Sequence, residues 1–256
     1  MKKLQSLVCG VLLSCLLGLD AQAQAQVQGI ALYAAAGVKS PIENILEAFS
    51  KESGQSFDLH FDTAGAAQKQ FLADAHAQIL ITTQERIEHS QSTGELKTGE
   101  MIMFAATMAG IASSLQPLPV IRTKEDLKTV LLGVKSIAFS DPDRGATVGL
   151  HFVKIIKTLG IEKEVLAKAR KAREGLQTMQ WVKEGQVELG VTQVSEIMQA
   201  DPKSLVGPFP QEFDLSTRYA LWLNEPDQPV MKRMLAWLKS EHAKELMKAQ
   251  GLRPLN

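Results

Sequence analysis

The stretch from Gly29 to Phe49, GIALYAAAGVKSPIENILEAF, shows the folding unit of the chain. Gly29 to Ala36 is a compact apolar run of strand length, followed by a small-residue turn at Gly37. Ser40-Pro41-Ile42-Glu43 then reads as a helix start, with serine as cap, proline at the first helical position and glutamate at the third. Ile42, Ile45, Leu46 and Phe49 keep helical spacing, and Gly54 stops the run.

The same unit recurs downstream. Phe57 to Phe61 alternates as a strand, Gly65 to Leu72 reads as a helix, Ile79 to Ile81 as a buried strand and Gln84 to His89 as a helix. A second set follows: helix Thr123 to Leu132, strand Ser136 to Phe139, helix Ala146 to Leu159, helix Leu176 to Lys183 and strand Val187 to Val191. A strand at Tyr219 to Leu223 and one long amphipathic helix from Val230 to Lys248 complete the chain. This alternation predicts mostly parallel sheets with helices on both faces. Two such lobes fit the length, and the apolar segments Met101–Ala112 and Leu205–Leu223 are the expected crossings between them. The expected lobes are 24–104 with 205–256, and 105–204.

Composition narrows the function classes. Twenty-eight basic residues balance twenty-eight acidic ones, so no large electrostatic commitment to nucleic acid or anionic lipid is implied. Aromatics at 5% are too few for stacking platforms along a single strand. Lys2 and Lys3, the apolar run Leu7 to Leu19 and the small-residue pattern at Ala21 to Ala25 have the three-part layout of a secretory signal peptide, expected to end at residue 23. The apolar run falls short of the ~20 residues a membrane span needs. Both cysteines, Cys9 and Cys15, lie inside it, so cleavage leaves a periplasmic chain without disulfide or thiol chemistry. His60, His76, His89, His151 and His242 show no metal-ligand spacing, and no phosphate loop, nucleophile elbow or zinc motif is present. No metal and no cofactor are expected.

Ligands of open α/β sheets sit beyond the carboxyl ends of strands, where helix N-termini present free N–H groups. Three turns carry the small and polar residues this needs: Ala35 to Ser40, Asp62 to Ala66 and Asp141 to Gly149. Hydrogen bonds to an ionised ligand contribute roughly 1.5–3 kcal/mol each, so converging turns can hold an anion with little cationic side-chain charge.

The chain resembles the periplasmic solute-binding proteins of the molybdate-binding type over nearly its whole mature length. Ala34 to Val38 is similar to the family's first anion-binding turn, Phe61 to Ala66 to its second, and Ser140 to Asp143 to the start of its third. Gly185 to Val191 resembles the segment before the last ligand loop, and Val206 to Pro210 and Gly251 to Pro254 resemble late signatures. The resemblance implies a two-lobed periplasmic binding protein fold of the class II type, each lobe a mixed, mostly parallel sheet flanked by helices. It also implies a small oxyanion held between the lobes and delivered to the permease of an ABC importer. A monomer is expected, with no nucleic-acid partner.

The departures from the family matter. Gly37 stands where a ligand serine is expected, Gln193 where a tyrosine is expected, and Arg144-Gly145-Ala146-Thr147 replaces the usual third turn. Arginine's planar fork suits a carboxylate, and the lost side chains leave room. The expected ligand is therefore a di- or tricarboxylate in preference to molybdate. Candidate ligand-binding residues are Gly37, Val38, Lys39, Thr63, Ala64, Arg144, Gly145, Ala146, Thr147, Thr192 and Gln193. Two alternatives stay open. One is a cofactor-free periplasmic aconitate isomerase, an activity known in a branch resembling this family, with Asp62 and His151 as candidate bases and Arg144 and Lys39 as clamps. The other is a molybdate or tungstate receptor relying on backbone contacts.

Overall fold

The computed structural model describes residues 29–255, so the expected signal peptide, with Cys9 and Cys15, lies outside the described residues. The first half of the described chain runs β1 (Ile30–Ala35), α1 (Lys39–Ser53), β2 (Phe57–Asp62), α2 (Ala64–Ala73), β3 (Ile79–Thr83), α3 (Gln84–Thr93) and the long β4 (Glu100–Ser113). It continues with α4 (Lys124–Gly133), β5 (Ile137–Ser140), α5 (Thr147–Thr158), α6 (Glu162–Leu166), β6 (Ala169–Ala172), α7 (Gly175–Lys183), β7 (Leu189–Gln193) and α8 (Val194–Ala200). The last part is β8 (Leu205–Pro208), β9 (Ser216–Leu223), α9 (Pro229–Leu238), α10 (Glu241–Ala249) and β10 (Arg253–Pro254).

The strands order as β2-β1-β3-β9-β4-β7-β5-β6, with β8 and β10 also paired to β4. Strands β2, β1 and β3 run parallel, as do β7, β5 and β6, and the antiparallel β9 and β4 join the two sets. β4 belongs to both halves: Glu100 to Met108 pairs with β9, and Ala109 to Ser113 pairs with β7. The molecule is thus a two-lobed mixed α/β fold with helices on both faces of each sheet.

Side-chain alternation accounts for the two-sided burial. Along β3, Ile79 and Ile81 enter one core with Ile42, Ile45 and Phe49 of α1, while Leu80 points to the other face with Phe71, Ile87 and Trp222. In the second lobe Ile137 and Phe139 of β5 pack with Phe152 and Ile156 of α5, and Ala138 faces Met179 and Val182 of α7. Each fully buried Ile or Phe contributes about 1.5–3 kcal/mol relative to exposure. Gly54 closes α1 in the left-handed conformation at φ 71°, as its position predicts.

Several local expectations need correction. Ser40 is not the cap of α1: a 3-10 turn over Ala36–Val38 lets the helix begin at Lys39, with Val38 as cap. Pro41 is tolerated there because the first helical N–H groups have no intrahelical partner. The expected helix from Val230 to Lys248 is two helices, broken where the Ser240 side chain accepts from the Ala243 N–H and caps α10. The short β6 and α6 escape the sequence pattern. So does α8, which begins directly after the last residue of β7. The segment 205–215 packs with the second lobe: β8 pairs with Gly110 to Ala112, and Val206, Phe209, Phe213 and Leu215 join the core around Phe139.

Candidate functional site

The strand ends of both lobes converge on one place. β1 gives way to the Ala36–Val38 turn, β2 to α2, β5 to a turn and then α5, β6 to α7, and β7 to α8. Each junction sends residues into the wall of a single small cavity. The wall comprises Ala35, Ala36, Gly37, Thr63, Ala64, Ser140, Ala146, Thr147, Val148, Glu174, Gly175, Thr192, Gln193 and Glu196, with Tyr219 from β9. Its volume is about 30 Å³, enough for about one water.

The wall is polar without being cationic. Thr63, Ser140, Thr147 and Thr192 bring hydroxyls, Glu174 and Glu196 bring carboxyls, and no lysine, arginine or histidine is among these residues. Positive potential there comes from helix N-termini, each worth ~0.3–1 kcal/mol to an anion when exposed and up to ~2 when partly buried. Glu196 is 4% exposed. It accepts hydrogen bonds from the Thr192 hydroxyl and from the Gln193 N–H at 3.2 Å. Burial pushes its pKa up to about 7, outweighing the hydrogen bonds that favour the ionised form. Burial likewise pushes the Tyr219 phenol upward, helped by the nearby Glu196.

Cross-cleft contacts close the site. Arg144 Nη2 donates to both carboxylate oxygens of Asp62 at 2.8 Å, linking the turn after β5 to the end of β2. The Thr63 hydroxyl donates to the Arg144 carbonyl at 2.5 Å while accepting from the Ala66 N–H at 3.3 Å, so it both latches the lobes and caps α2. Arg86 Nη2 donates to the Gly145 carbonyl at 3.3 Å, and Ser195 Oγ donates to the Gly37 carbonyl at 2.6 Å. Gly145, at φ 75°, passes so close to Gly65 that a Cβ there would sit 3.0 Å from the Gly65 Cα. Backbone meets backbone at this crossing, which only glycines allow.

The eleven candidate ligand residues separate into two groups. Gly37, Thr63, Ala64, Ala146, Thr147, Thr192 and Gln193 line the cavity. Val38, Lys39, Arg144 and Gly145 do not. Val38 is buried in the first core, the Lys39 ammonium lies 5.6 Å from the Phe61 ring centre, and Arg144 is engaged by Asp62. The candidate bases also lie outside the wall. Asp62 is held by Arg144 and by the Thr63 N–H at 2.8 Å, and His151 Nε2 donates to the Phe213 carbonyl at 2.8 Å beside another cleft. The room expected from losing a serine at Gly37 is filled: a Cβ there would lie 2.5 Å from the Tyr219 hydroxyl oxygen.

Sequence reasoning missed Ser140, Glu174, Gly175, Glu196 and Tyr219. Glu196 had a local signal, since a glutamate three residues after a strand-ending polar residue marks a helix start. Tyr219 had none, because strand pairing brings it there from far along the chain.

A family model described as bacterial extracellular solute-binding protein matches residues 30–253. An aconitate isomerase from a Pseudomonas species is 22% identical over 239 residues, covering 90% of this chain and 89% of that one. Among solved structures, the periplasmic molybdate-binding protein of Azotobacter vinelandii superposes with a TM-score of 0.72 at 19% identity, over 87% of this chain and 98% of that one. Peb3 of Campylobacter jejuni with bound L-phospholactate gives 0.66 at 14% identity, over 88% and 99%. At these identities the structural likenesses establish the fold.

Proposed function

We propose that this chain, which belongs to the bacterial extracellular solute-binding protein family, is a periplasmic receptor that closes its lobes over a small oxyanion bearing at least one carboxylate. One observation carries the reading: five strand-to-helix junctions from both lobes wall a single cavity with hydroxyls and helix N-termini. Three or four hydrogen bonds to an ionised guest, ~1.5–3 kcal/mol each, are of the size needed for micromolar capture, roughly −8 kcal/mol.

The carboxylate preference draws on what two relatives are named for, aconitate in one and L-phospholactate in the other. It does not draw on Arg144, whose fork Asp62 occupies. The lobes we assign are 29–108 with 216–255, and 109–215, since the partners of β4 change after Met108 and residues through Leu215 pack on the second core. The leader directs export, and an ABC importer permease receives the loaded monomer.

A second reading has its own observation. Glu196 is an acid in the cavity wall whose pKa of about 7 suits it to take and return a proton near neutrality. An isomerase moving a double bond of a tricarboxylate needs such a group. Incubation of cis-aconitate with the purified protein, followed by chromatography and isothermal titration, tests both. Stoichiometric binding without conversion is the expected result, and turnover far beyond one equivalent would establish the isomerase. If no carboxylate binds while molybdate or sulfate does, the carboxylate preference is wrong. If none of these anions binds, the receptor reading falls.

A further inference from the structure

Accepting the anion receptor reading, we propose that the cleft takes up its anion together with one proton, held between Glu196 and the guest, so that Glu196 decides which anions are admitted at a given pH. The charges in the cleft do not match those of its guest. The site expected to hold an anion has no cationic side chain in its wall, yet contains two carboxyls, Glu174 and Glu196. Three arginines stand around the cleft without entering its wall. Arg144 is bound to Asp62, Arg173 lies 3.8 Å from the same carboxylate, and Arg86 donates to Gln68 and to the Gly145 carbonyl.

Glu196 cannot turn away from the guest. Its carboxyl is pinned by Thr192 and the Gln193 N–H, and it packs so tightly on α7 that a Cβ at Gly175 would lie 1.9 Å from Oε2. A fully ionised oxyanion offers acceptors alone. It therefore leaves the Glu196 carboxylate facing lone pairs, unless a proton accompanies it.

Magnitudes decide how the conflict resolves. Two unit charges about 4 Å apart in a partly buried site weaken binding by a factor on the order of 10³. With its pKa near 7, protonating Glu196 at pH 8 weakens binding only about tenfold. Proton uptake is the smaller penalty, so the complex forms through the neutral acid. The other titratable groups facing Glu196 are Glu174, at the start of α7, and the Tyr219 phenol on β9. From β7, Thr192 and Gln193 meet the carboxyl, and Thr107 of β4 and Gly37 of the turn after β1 bond to the neighbouring Ser195; none of them is titratable.

The test uses the whole mature protein with sulfate, molybdate and tricarballylate, titrated calorimetrically from pH 6 to 9 in pairs of buffers differing in ionisation enthalpy. For sulfate or molybdate we expect level affinity up to about pH 7 and a fall approaching tenfold per unit above it. At pH 8.5 the buffer pairs should report uptake of close to one proton per anion. Glu196→Gln should flatten the profile and abolish the uptake, whereas Glu164→Gln, on the exposed side of α6 and away from the cavity, should keep both. Binding by the wild type with a flat profile and no proton uptake overturns the proposal and leaves the receptor reading intact. A slope that survives in Glu196→Gln, shown folded by its melting curve, also overturns it. Absence of binding by any of the three anions at every pH overturns the receptor reading itself.

Discussion

Replacing Glu196 by glutamine should make the empty protein more stable at neutral and alkaline pH, although it alters a buried polar residue. The carboxyl is 4% exposed, and its pKa rises from 4.5 to about 7 on folding. A carboxyl with a raised folded pKa holds its proton more tightly in the native state. Its favourable contribution is complete below pH 4.5 and is lost as pH rises through about 7. At about 1.4 kcal/mol per unit, the ionised group costs about 3 kcal/mol at pH 8 and under about 1 kcal/mol at pH 5. Glutamine keeps the acceptor for Thr192 and the Gln193 N–H without this penalty. For a chain of this size, 1 kcal/mol moves the melting midpoint by about 2–4 °C. The variant should therefore melt roughly 5–10 °C above wild type at pH 8 and nearly with it at pH 5. Ligand-free thermal and urea melts of both proteins at the two pH values supply the measurement. A gap between the proteins that is the same at pH 5 and pH 8 would show that Glu196 does not titrate in this window, and the reasoning would fail.

Two further substitutions probe the frame and the latch. Gly149→Ala places a Cβ 1.9 Å from the Ser140 carbonyl oxygen, so α5 must move off β5; we expect a loss of about 1–3 kcal/mol, read by urea melts, and no loss would contradict the packing of these elements. Arg144→Ala removes the ion pair across the cleft but no group from the cavity wall. With Arg144 about a third exposed and Asp62 retaining bonds from Thr63 and Gln70, the closed form should lose about 1–2 kcal/mol. Stopped-flow binding should show faster release with little change in the rate of association, and unchanged release would exclude Arg144 from closure.

The sequence made the architecture readable because its signals are local. Gly54 ends α1 and Thr123 caps α4 through their own chemistry, and the alternation along β3 is visible in Ile79-Leu80-Ile81 itself. Errors arose where two local rules competed. Ser40-Pro41 outranked the tighter turn at Ala36–Val38, and one apolar period across Lys239-Ser240 concealed the cap that starts α10. Of the site, the glycine and hydroxyl turns were legible, since only small residues and N-caps suit a strand-to-helix junction. The partner of Arg144 was not. Asp62 stands 82 positions away, and only the folded cleft brings the two together. An arginine in a glycine-rich turn reads the same from the sequence whether a guest or a neighbouring carboxylate fills its fork.

Several other hydrogen bonds cross the cleft beside that pair. The bonds from Thr63 to the Arg144 carbonyl, Ser195 to the Gly37 carbonyl and Arg86 to the Gly145 carbonyl each join opposite lobes, and all three accepting carbonyls lie in turns at the cleft. Such bonds contribute about 0.5–1.5 kcal/mol net apiece, because opening exchanges them for water. With the Arg144–Asp62 pair they amount to a few kcal/mol, a bias and not a lock. A guest needs roughly 5.5 kcal/mol of preference for the closed form to carry the equilibrium from one part in a hundred to ninety-nine. The cavity supplies that preference only if the guest reaches groups from both lobes at once, since contacts to one lobe alone favour neither form. The wall meets this condition: Thr63 and Ala64 stand on one lobe, and Thr147, Thr192 and Glu196 on the other. The proton proposed at Glu196 therefore bears on capture and closure together, because this carboxyl meets the anion from the second lobe while Thr63 and Ala64 meet it from the first.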